Sequence, residues 1–150
     1  MRYLPLFLII CSYTVYSQIT IKDVDQLVRN INAKKETFEK KELSNSNEGN
    51  SYVWLQDEEP RIVMVNQKDS VEKNVTWYFL DQKLLYSETL WTDRETNKKL
   101  YEEKTYHDKG ILFAWLNSEN KFKDANSIEF KSLDRKLQAY SQELLIQARE

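Results

Sequence analysis

Apolar and polar residues alternate in three similar segments in the middle of the chain. Aromatic runs begin near Tyr52, Trp77 and Tyr106, and each is followed by a polar turn and a second apolar run. This pattern predicts β-hairpins. Its recurrence predicts repeated hairpins of one meandering antiparallel sheet.

The hairpin after Trp77 sets an expected strand register. If Asp81 and Gln82 form a two-residue turn, Phe79 faces Leu84, Trp77 faces Tyr86 and Val75 faces Glu88. Pairing Leu90 with Leu100 across the loop at residues 93–97 then brings Leu84 opposite Tyr106 and Glu88 opposite Glu102.

This register assigns the side chains to two faces of the sheet. The apolar face is expected to form the core, with Trp77 buried; it holds Val75, Trp77, Phe79, Leu84, Tyr86, Leu90, Leu100 and Tyr106. The other face is polar and aromatic, with Thr76, Tyr78, Leu85, Ser87, Thr89, Trp91, Tyr101, Glu103 and Thr105.

The remaining strands are predicted around these hairpins. Residues 36–43 are highly charged and predict an exposed edge strand, and residues 44–50 predict a polar loop. Gly110 suits the left-handed position of a bulged turn. Ile111–Leu116 is apolar on both sides, which predicts an inner strand or one covered on both faces.

A helix is predicted at each end of the domain. Thr20 and Asp23 form a capping-box-like start before an apolar stripe of Ile21, Val24, Leu27, Val28 and Ile31. Asn126 and Glu129 frame a second start before Phe130, Leu133, Leu137, Tyr140 and Leu144. That second stripe also fits a short coiled-coil seam, but packing on the domain's own sheet is favoured.

The first 17 residues have the pattern of a secretory signal peptide. A basic start and a short apolar run precede Val15-Tyr16-Ser17, which predicts cleavage before Gln18 and a periplasmic or secreted protein. Lipidation at Cys11 is disfavoured because Ile10 stands where a small residue is expected. The apolar run is too short to span a membrane, so no transmembrane segment is expected after cleavage.

Composition bounds the remaining 133 residues, 18–150, to one domain without cysteine. Removal of Arg2 changes the formal net charge from −2 to −3, which gives no electrostatic reason to bind nucleic acid. The predicted fold class is α+β: an antiparallel meander of six or seven strands with the two helices packed on it. A monomer is expected.

The arrangement resembles a group of uncharacterised exported bacterial β-meander proteins. The resemblance rests on Trp77-Tyr78-Phe79 with Lys83-Leu84, on Tyr106 with Gly110-Ile111-Leu112 and Ala114-Trp115-Leu116, and on the Phe130 helix. It covers about residues 20–145, and Asp81-Gln82 and Asp108-Lys109-Gly110 depart from the group's Asp-Gly turn. The resemblance implies export and a β-meander, and it implies no active-site residue.

Few residues offer catalytic chemistry. His107 is the only histidine, stands at a predicted turn and is expected in solvent; it has no ligand partners at metal-binding spacing, so neither metal nor cofactor is predicted. Glu88 and Glu102, if opposite, would be a carboxylate pair of the kind glycoside hydrolases use. A shift of two residues would instead make an ordinary contact between Glu88 and Lys104.

The tryptophans favour a different function. Trp91 and Tyr101 meet on the more polar face, which also carries Tyr78, and exposed aromatic rings bind sugars or proteins. The favoured hypothesis is a noncatalytic binding protein that uses these three residues to contact an envelope or extracellular protein or a glycan. Two alternatives stay open: a small-molecule or lipid carrier with a cavity between sheet and helices, and a hydrolase using Glu88 and Glu102.

Overall fold

The computed structural model describes residues 18–46 and 49–149. The predicted signal peptide, its predicted cleavage site and Cys11 lie outside the described residues. The elements, in chain order, are α1 (Ile21–Lys34), a 3-10 turn (Lys35–Thr37), β1 (Glu39–Ser46), β2 (Gly49–Gln56), β3 (Glu59–Lys68), β4 (Val71–Leu80), β5 (Lys83–Asp93), β6 (Lys99–Asp108), β7 (Ile111–Leu116) and α2 (Ile128–Gln147).

The strands form one antiparallel sheet in the order β1 to β7, so each strand pairs with its neighbours in sequence. The two helices cover opposite faces. Leu144 and Leu145 of α2 pack against Val53, Phe79 and Leu84, whereas Val24 of α1 packs in a separate cluster. The second cluster contains Trp54, Ile62, Tyr78, Leu85, Tyr86 and Tyr106. The predicted α+β meander with a helix at each end is confirmed.

Helix α1 begins where its capping residues predict. The Thr20 side chain accepts a hydrogen bond from the Asp23 backbone N–H, and Asp23 accepts one from the Thr20 backbone N–H at 2.9 Å. Both bonds satisfy N–H groups that a helix start leaves without partners. The apolar stripe then points inward, and Val24 is completely buried.

Helix α2 begins one residue later than predicted, and its buried face rotates gradually around the helix axis. Ser127, not Asn126, caps the helix by accepting the Phe130 N–H. Steps of three and four average 3.5 residues, slightly less than one helical turn, so the contact line drifts around the helix. Tyr140 is therefore 39% exposed, and Ser141, Leu144, Leu145 and Ala148 are the buried positions near the end.

The three predicted hairpins share one structure. Their two central turn residues have positive φ: Asp57 and Glu58, Asp81 and Gln82, Lys109 and Gly110. Two residue pairs beyond each turn, the second strand carries one extra residue: Arg61, Leu85 and Phe113. Each extra residue is a β-bulge, which re-aims all side chains beyond it.

The bulge at Leu85 overturns part of the expected register. Phe79 faces Leu84 as predicted, but beyond them Trp77 pairs with Ser87, Tyr78 with Tyr86 and Thr76 with Glu88. The expected common face is therefore wrong. Val75, Trp77, Phe79 and Leu84 lie on the α2 side, whereas Tyr86, Leu90 and Tyr106 lie on the α1 side. Trp77 is buried as predicted, at 6% exposure.

The two edge strands, β1 and β7, agree with the predictions only in part. β1 is an edge strand, but β1 and β2 extend into the predicted loop at residues 44–50. β7 is the opposite edge, not an inner strand. It is covered on both faces, since Phe113 and Ala114 pack on the α1 side and Trp115 lies 6.5 Å, centroid to centroid, from Phe130 of α2.

Candidate functional site

An aromatic pair lies on the α2 side of the sheet, in the half of β5 and β6 far from the bulged turns. Trp91 and Tyr101 face each other across these strands, with ring centroids 4.7 Å apart and an interplanar angle of 29°. Neither ring belongs to the two core clusters, and both side chains are only partly buried. The structure thus brings together two of the three predicted site residues.

A lysine completes this row. Lys73 of β4 pairs with Trp91, and its Nζ lies 5.0 Å from the centroid of the indole ring. The order across three strands is therefore ammonium, indole, phenol. Such a cation over a partly exposed aromatic face contributes about 0.5–1 kcal/mol. We call Lys73, Trp91 and Tyr101 the Trp91 surface.

The Tyr101 ring is held by its own strand. Its hydroxyl donates a 2.8 Å hydrogen bond to the Glu103 carboxylate. Partial burial and this neighbouring carboxylate raise the pKa of Tyr101 to about 12. The phenol therefore stays neutral at physiological pH and presents an oriented ring.

Tyr78 does not share this surface, so its predicted grouping with Trp91 and Tyr101 is wrong. It lies on the α1 side, is 8% exposed and forms a row with Tyr86 and Tyr106. Its hydroxyl lies 3.2 Å from Oδ1 of Asn32, which it can donate to. Burial raises the pKa of all three tyrosines. This row anchors α1 to the sheet.

The carboxylates Glu88 and Glu102 are not opposite each other. Glu88 pairs with Lys104, and Glu102 pairs with Leu90, because the β5–β6 pairing is two residues away from the expected register. Lys104 Nζ lies 3.6 Å from Glu88 Oε1 and 3.3 Å from Glu102 Oε1. The lysine therefore sits between the two carboxylates that the hydrolase alternative requires.

The protonation of Glu102 follows from its neighbours. Lys99 donates to Glu102 Oε2 at 2.8 Å, and this bond, together with Lys104, lowers the pKa of the carboxyl. A general acid of a glycosidase needs the opposite shift, a raised pKa.

His107 is completely buried, so its expected position in solvent is wrong. It occupies the position that Leu55 and Phe79 hold in the other two hairpins, directly before the final strand residue and the turn. Thr105 Oγ1 lies 2.9 Å from its Nε2 and 2.6 Å from Ser87 Oγ. Burial lowers the pKa of His107 to about 4, against the opposing effects of Gly110 and Asp134.

A polar notch adjoins the Trp91 surface, and the sequence pattern gave no sign of it. It has a volume of about 370 Å³ and lies between the first half of β6 and the turn after β7. Its lining residues are Lys99, Leu100, Tyr101, Glu102, Lys104, Leu116, Asn117, Ser118 and Asn120. Residues 117–120 reach β6 because residues 117–123 fold back toward that strand, and no local sequence motif predicts this contact.

A smaller cavity lies at the opposite end of the sheet. It measures about 250 Å³ and lies beside the turns of the second and third hairpins, where its lining residues are Ile19, Leu80, Asp81, Lys83, Leu84, Leu85, His107, Asp108 and Lys109. It is not between the sheet and a helix, where the carrier alternative requires a cavity.

Within residues 18–46 and 49–149, no three His, Cys, Asp or Glu side chains are grouped to hold a metal ion. None of the helices in that part of the chain is long and apolar enough to cross a membrane. No protein-family model matches the chain, and neither the curated proteins nor the solved structures include one that is significantly similar to it.

Proposed function

We propose that the protein is an exported, noncatalytic binding protein whose partner contacts the Trp91 surface. The observation that carries this proposal is the partly exposed stack of Trp91 on Tyr101, outside both core clusters. Large aromatic residues contribute most of the binding energy at protein interfaces, and their faces also stack on sugar rings.

The charged residues support binding without catalysis. Glu102 is held ionised by two lysines, Glu88 faces Lys104, and the one histidine of the chain is buried. No pair of groups with opposing pKa shifts is thereby assembled in the notch, which acid–base hydrolysis would need.

Export and partner class follow from the sequence. The pattern before Gln18 supports secretion to the periplasm or beyond, and the small negative charge gives no attraction for nucleic acid. The proposed partner is therefore an envelope or extracellular protein or a glycan, bound by a monomer.

The carrier alternative has less support. Val24 of α1 and Leu144 of α2 are at most 3% exposed, so both helices pack directly on the sheet. A ligand of about 300 Å³ or more between them would have to displace core side chains.

Photo-crosslinking in the producing cells tests the proposal. With p-benzoylphenylalanine at position 101, we expect a discrete adduct, because the reactive ring lies within the contact surface. The same group at position 128 is the control, since Ile128 is 83% exposed and belongs to the first turn of α2, not to the strands that carry the Trp91 surface. An adduct of equal yield at position 128, or none at position 101, would refute the proposed surface.

A further inference from the structure

Helix α2 covers only one half of its side of the sheet. Trp77, near the middle of the strands, lies beneath it, with ring centroid 5.4 Å from that of Tyr140. The rest of the cluster under α2 includes Phe79 and Leu84, which lie closer to the turns. In the described part of the chain, no helix lies over the other half, which carries the Trp91 surface.

The floor of this open half continues the apolar core. Val65, Val75 and Thr89 pair in one row across β3, β4 and β5, two residues further from the turns than Trp77. The two valines are partly buried and pack at the margin of the α2 cluster. The Trp91 surface is the next row, two residues further again. It therefore forms the outer rim of an apolar strip.

The inner wall of this strip is one flank of α2. Asp134 accepts the Leu112 N–H near the start of β7, so the flank that carries Asp134 faces the turns. At 3.6 residues per turn, Leu133 and Tyr140 lie on the other flank, which faces the open half. Leu133 is partly buried and Tyr140 is 39% exposed. Large side chains thus border the strip on both sides.

The width of the strip matches one helix. Trp77, beneath α2, and Lys73, in the Trp91 surface, are four residues apart on β4, which corresponds to about 13 Å along the strand. Neighbouring helices pack with their axes about 8–10 Å apart. A second helix beside α2 would therefore lie over the Val75 row and contact Trp91 with its outer side chains.

This floor fits a helix better than an extended peptide or a glycan. β3, β4 and β5 are each paired on both sides, so their backbone groups bond within the sheet. An extended peptide on their face would leave its own N–H and C=O groups without partners, whereas a helix bonds them internally. A glycan would place hydroxyl groups against the methyl groups of Val65 and Val75, which is costly.

Two charges border the strip without an ionic partner. Lys73 lies over Trp91, and Glu103, which pairs with Thr89, accepts the hydroxyl of Tyr101. Within the described residues, neither Lys73 nor Glu103 forms an ion pair. An apolar helix face flanked by an acidic and a basic side chain would complement both charges.

We infer that the partner contacts this strip through an amphipathic α-helix of an envelope or extracellular protein. Its apolar face packs on Val65 and Val75, beside Tyr140 of α2, and its outer side contacts the Trp91 surface. The arrangement continues the layer that α2 begins, and it is the helix-in-groove mode of recognition. The inference rests on the proposed function because both use the Trp91 surface.

Crosslinking from both borders of the strip is the first test. With p-benzoylphenylalanine at position 140 in the producing cells, we expect the same partner protein that is captured from position 101, because one helix touches both borders. The replaced Tyr140 is aromatic and 39% exposed, so the exchange leaves the core intact. Position 128 again serves as the control.

The conformation of the captured segment is the second test. The partner segment that carries the attachment sites, identified by mass spectrometry, is synthesised with ¹³C label and added to the purified chain. Its Cα chemical shifts should become helical on binding, and the amides of Val65, Val75 and Thr89 should shift with the Trp91 indole N–H.

Matched variants locate the contact. Thr89→Arg should weaken binding of this peptide about tenfold or more, because a long charged side chain then rises from the floor where the helix packs. Thr92→Arg makes the same change on the opposite face of β5 and should leave the affinity unchanged. Both threonines are partly buried, and retained amide dispersion confirms that each variant is folded.

Several results would overturn the inference. They are an adduct at position 101 but none at position 140, a captured carbohydrate or second copy of this chain, and a bound peptide with extended Cα shifts. An adduct at position 101 alone would leave the proposed function standing without the helix. Adducts at neither position would refute both.

Equal affinities of the Thr89→Arg and Thr92→Arg variants would also place the helix elsewhere on the molecule.

Discussion

Leu144→Ala should lower the free energy of unfolding by about 2–5 kcal/mol. Leu144 is 3% exposed and packs in the cluster that joins α2 to Val53, Phe79 and Leu84 of the sheet. Truncation removes buried methyl groups and leaves a cavity that these strands cannot collapse to fill. Urea denaturation, with the midpoint read at constant slope, measures the loss.

Ile146→Ala is the matched control on the same turn of α2. Ile146 is 61% exposed, so its truncation should change the unfolding free energy by about 0.5 kcal/mol or less. Equal midpoints for both variants would mean that α2 is a detachable arm and not a layer of the domain.

Acidification should destabilise the protein through His107, beginning about two pH units above the titration of the carboxyl groups. The folded-state pKa of about 4 lies below the unfolded value of about 6.5, because the charged imidazolium is poorly solvated in the core. Between these values the unfolded chain binds one more proton. Stability is therefore complete above pH 6.5 and falls as the pH decreases, by about 3 kcal/mol in total.

The pH window separates this effect from the acidic side chains. Asp23, Glu72, Asp93 and Glu102 have lowered pKa values in the folded protein, so their contributions are lost only below their unfolded values near 4. Unfolding free energies measured from pH 7 to 4.5 should decline in the natural protein and stay nearly flat in His107→Gln, whose amide can still bond Thr105.

The imidazole resonances give a check that needs no variant. Since the chain has one histidine, its NMR signal is unambiguous. It should not titrate above pH 5 in the folded protein, whereas an apparent pKa near 6.5 would mean that His107 is solvated.

The bulged hairpins mark the limit of what the sequence could predict. The turns, the two helices, the seven-strand meander and the burial of Trp77 follow from local patterns, because capping groups and alternating residues act over a few positions. A bulge adds one residue without changing the apolar composition, and it exchanges the two faces beyond it. The predicted register consequently separates Tyr78 and Tyr86 onto opposite faces, whereas in the structure they share the α1 side.

The three hairpin repeats, aligned at their turns, do predict that His107 is buried. When Trp54-Leu55, Tyr78-Phe79 and Tyr106-His107 are superimposed, His107 falls in a column whose other members are buried under α2. Trp91 and Tyr101 share a face, as predicted, because the two-residue shift of the β5–β6 pairing preserves the faces. The notch depends on the distant turn at residues 117–120 and had no such signal.

The Trp91→Ala variant tests the central claim most directly, when folding and function are measured on the same protein. We predict that it retains most of its unfolding free energy, because Trp91 lies outside both core clusters, and that the crosslink from position 101 to its partner is lost. Trp77→Ala, which removes a ring that is 6% exposed, should instead lose stability. A Trp91→Ala protein that fails to fold, or one that folds and still crosslinks fully, would contradict the assignment of the Trp91 surface to binding.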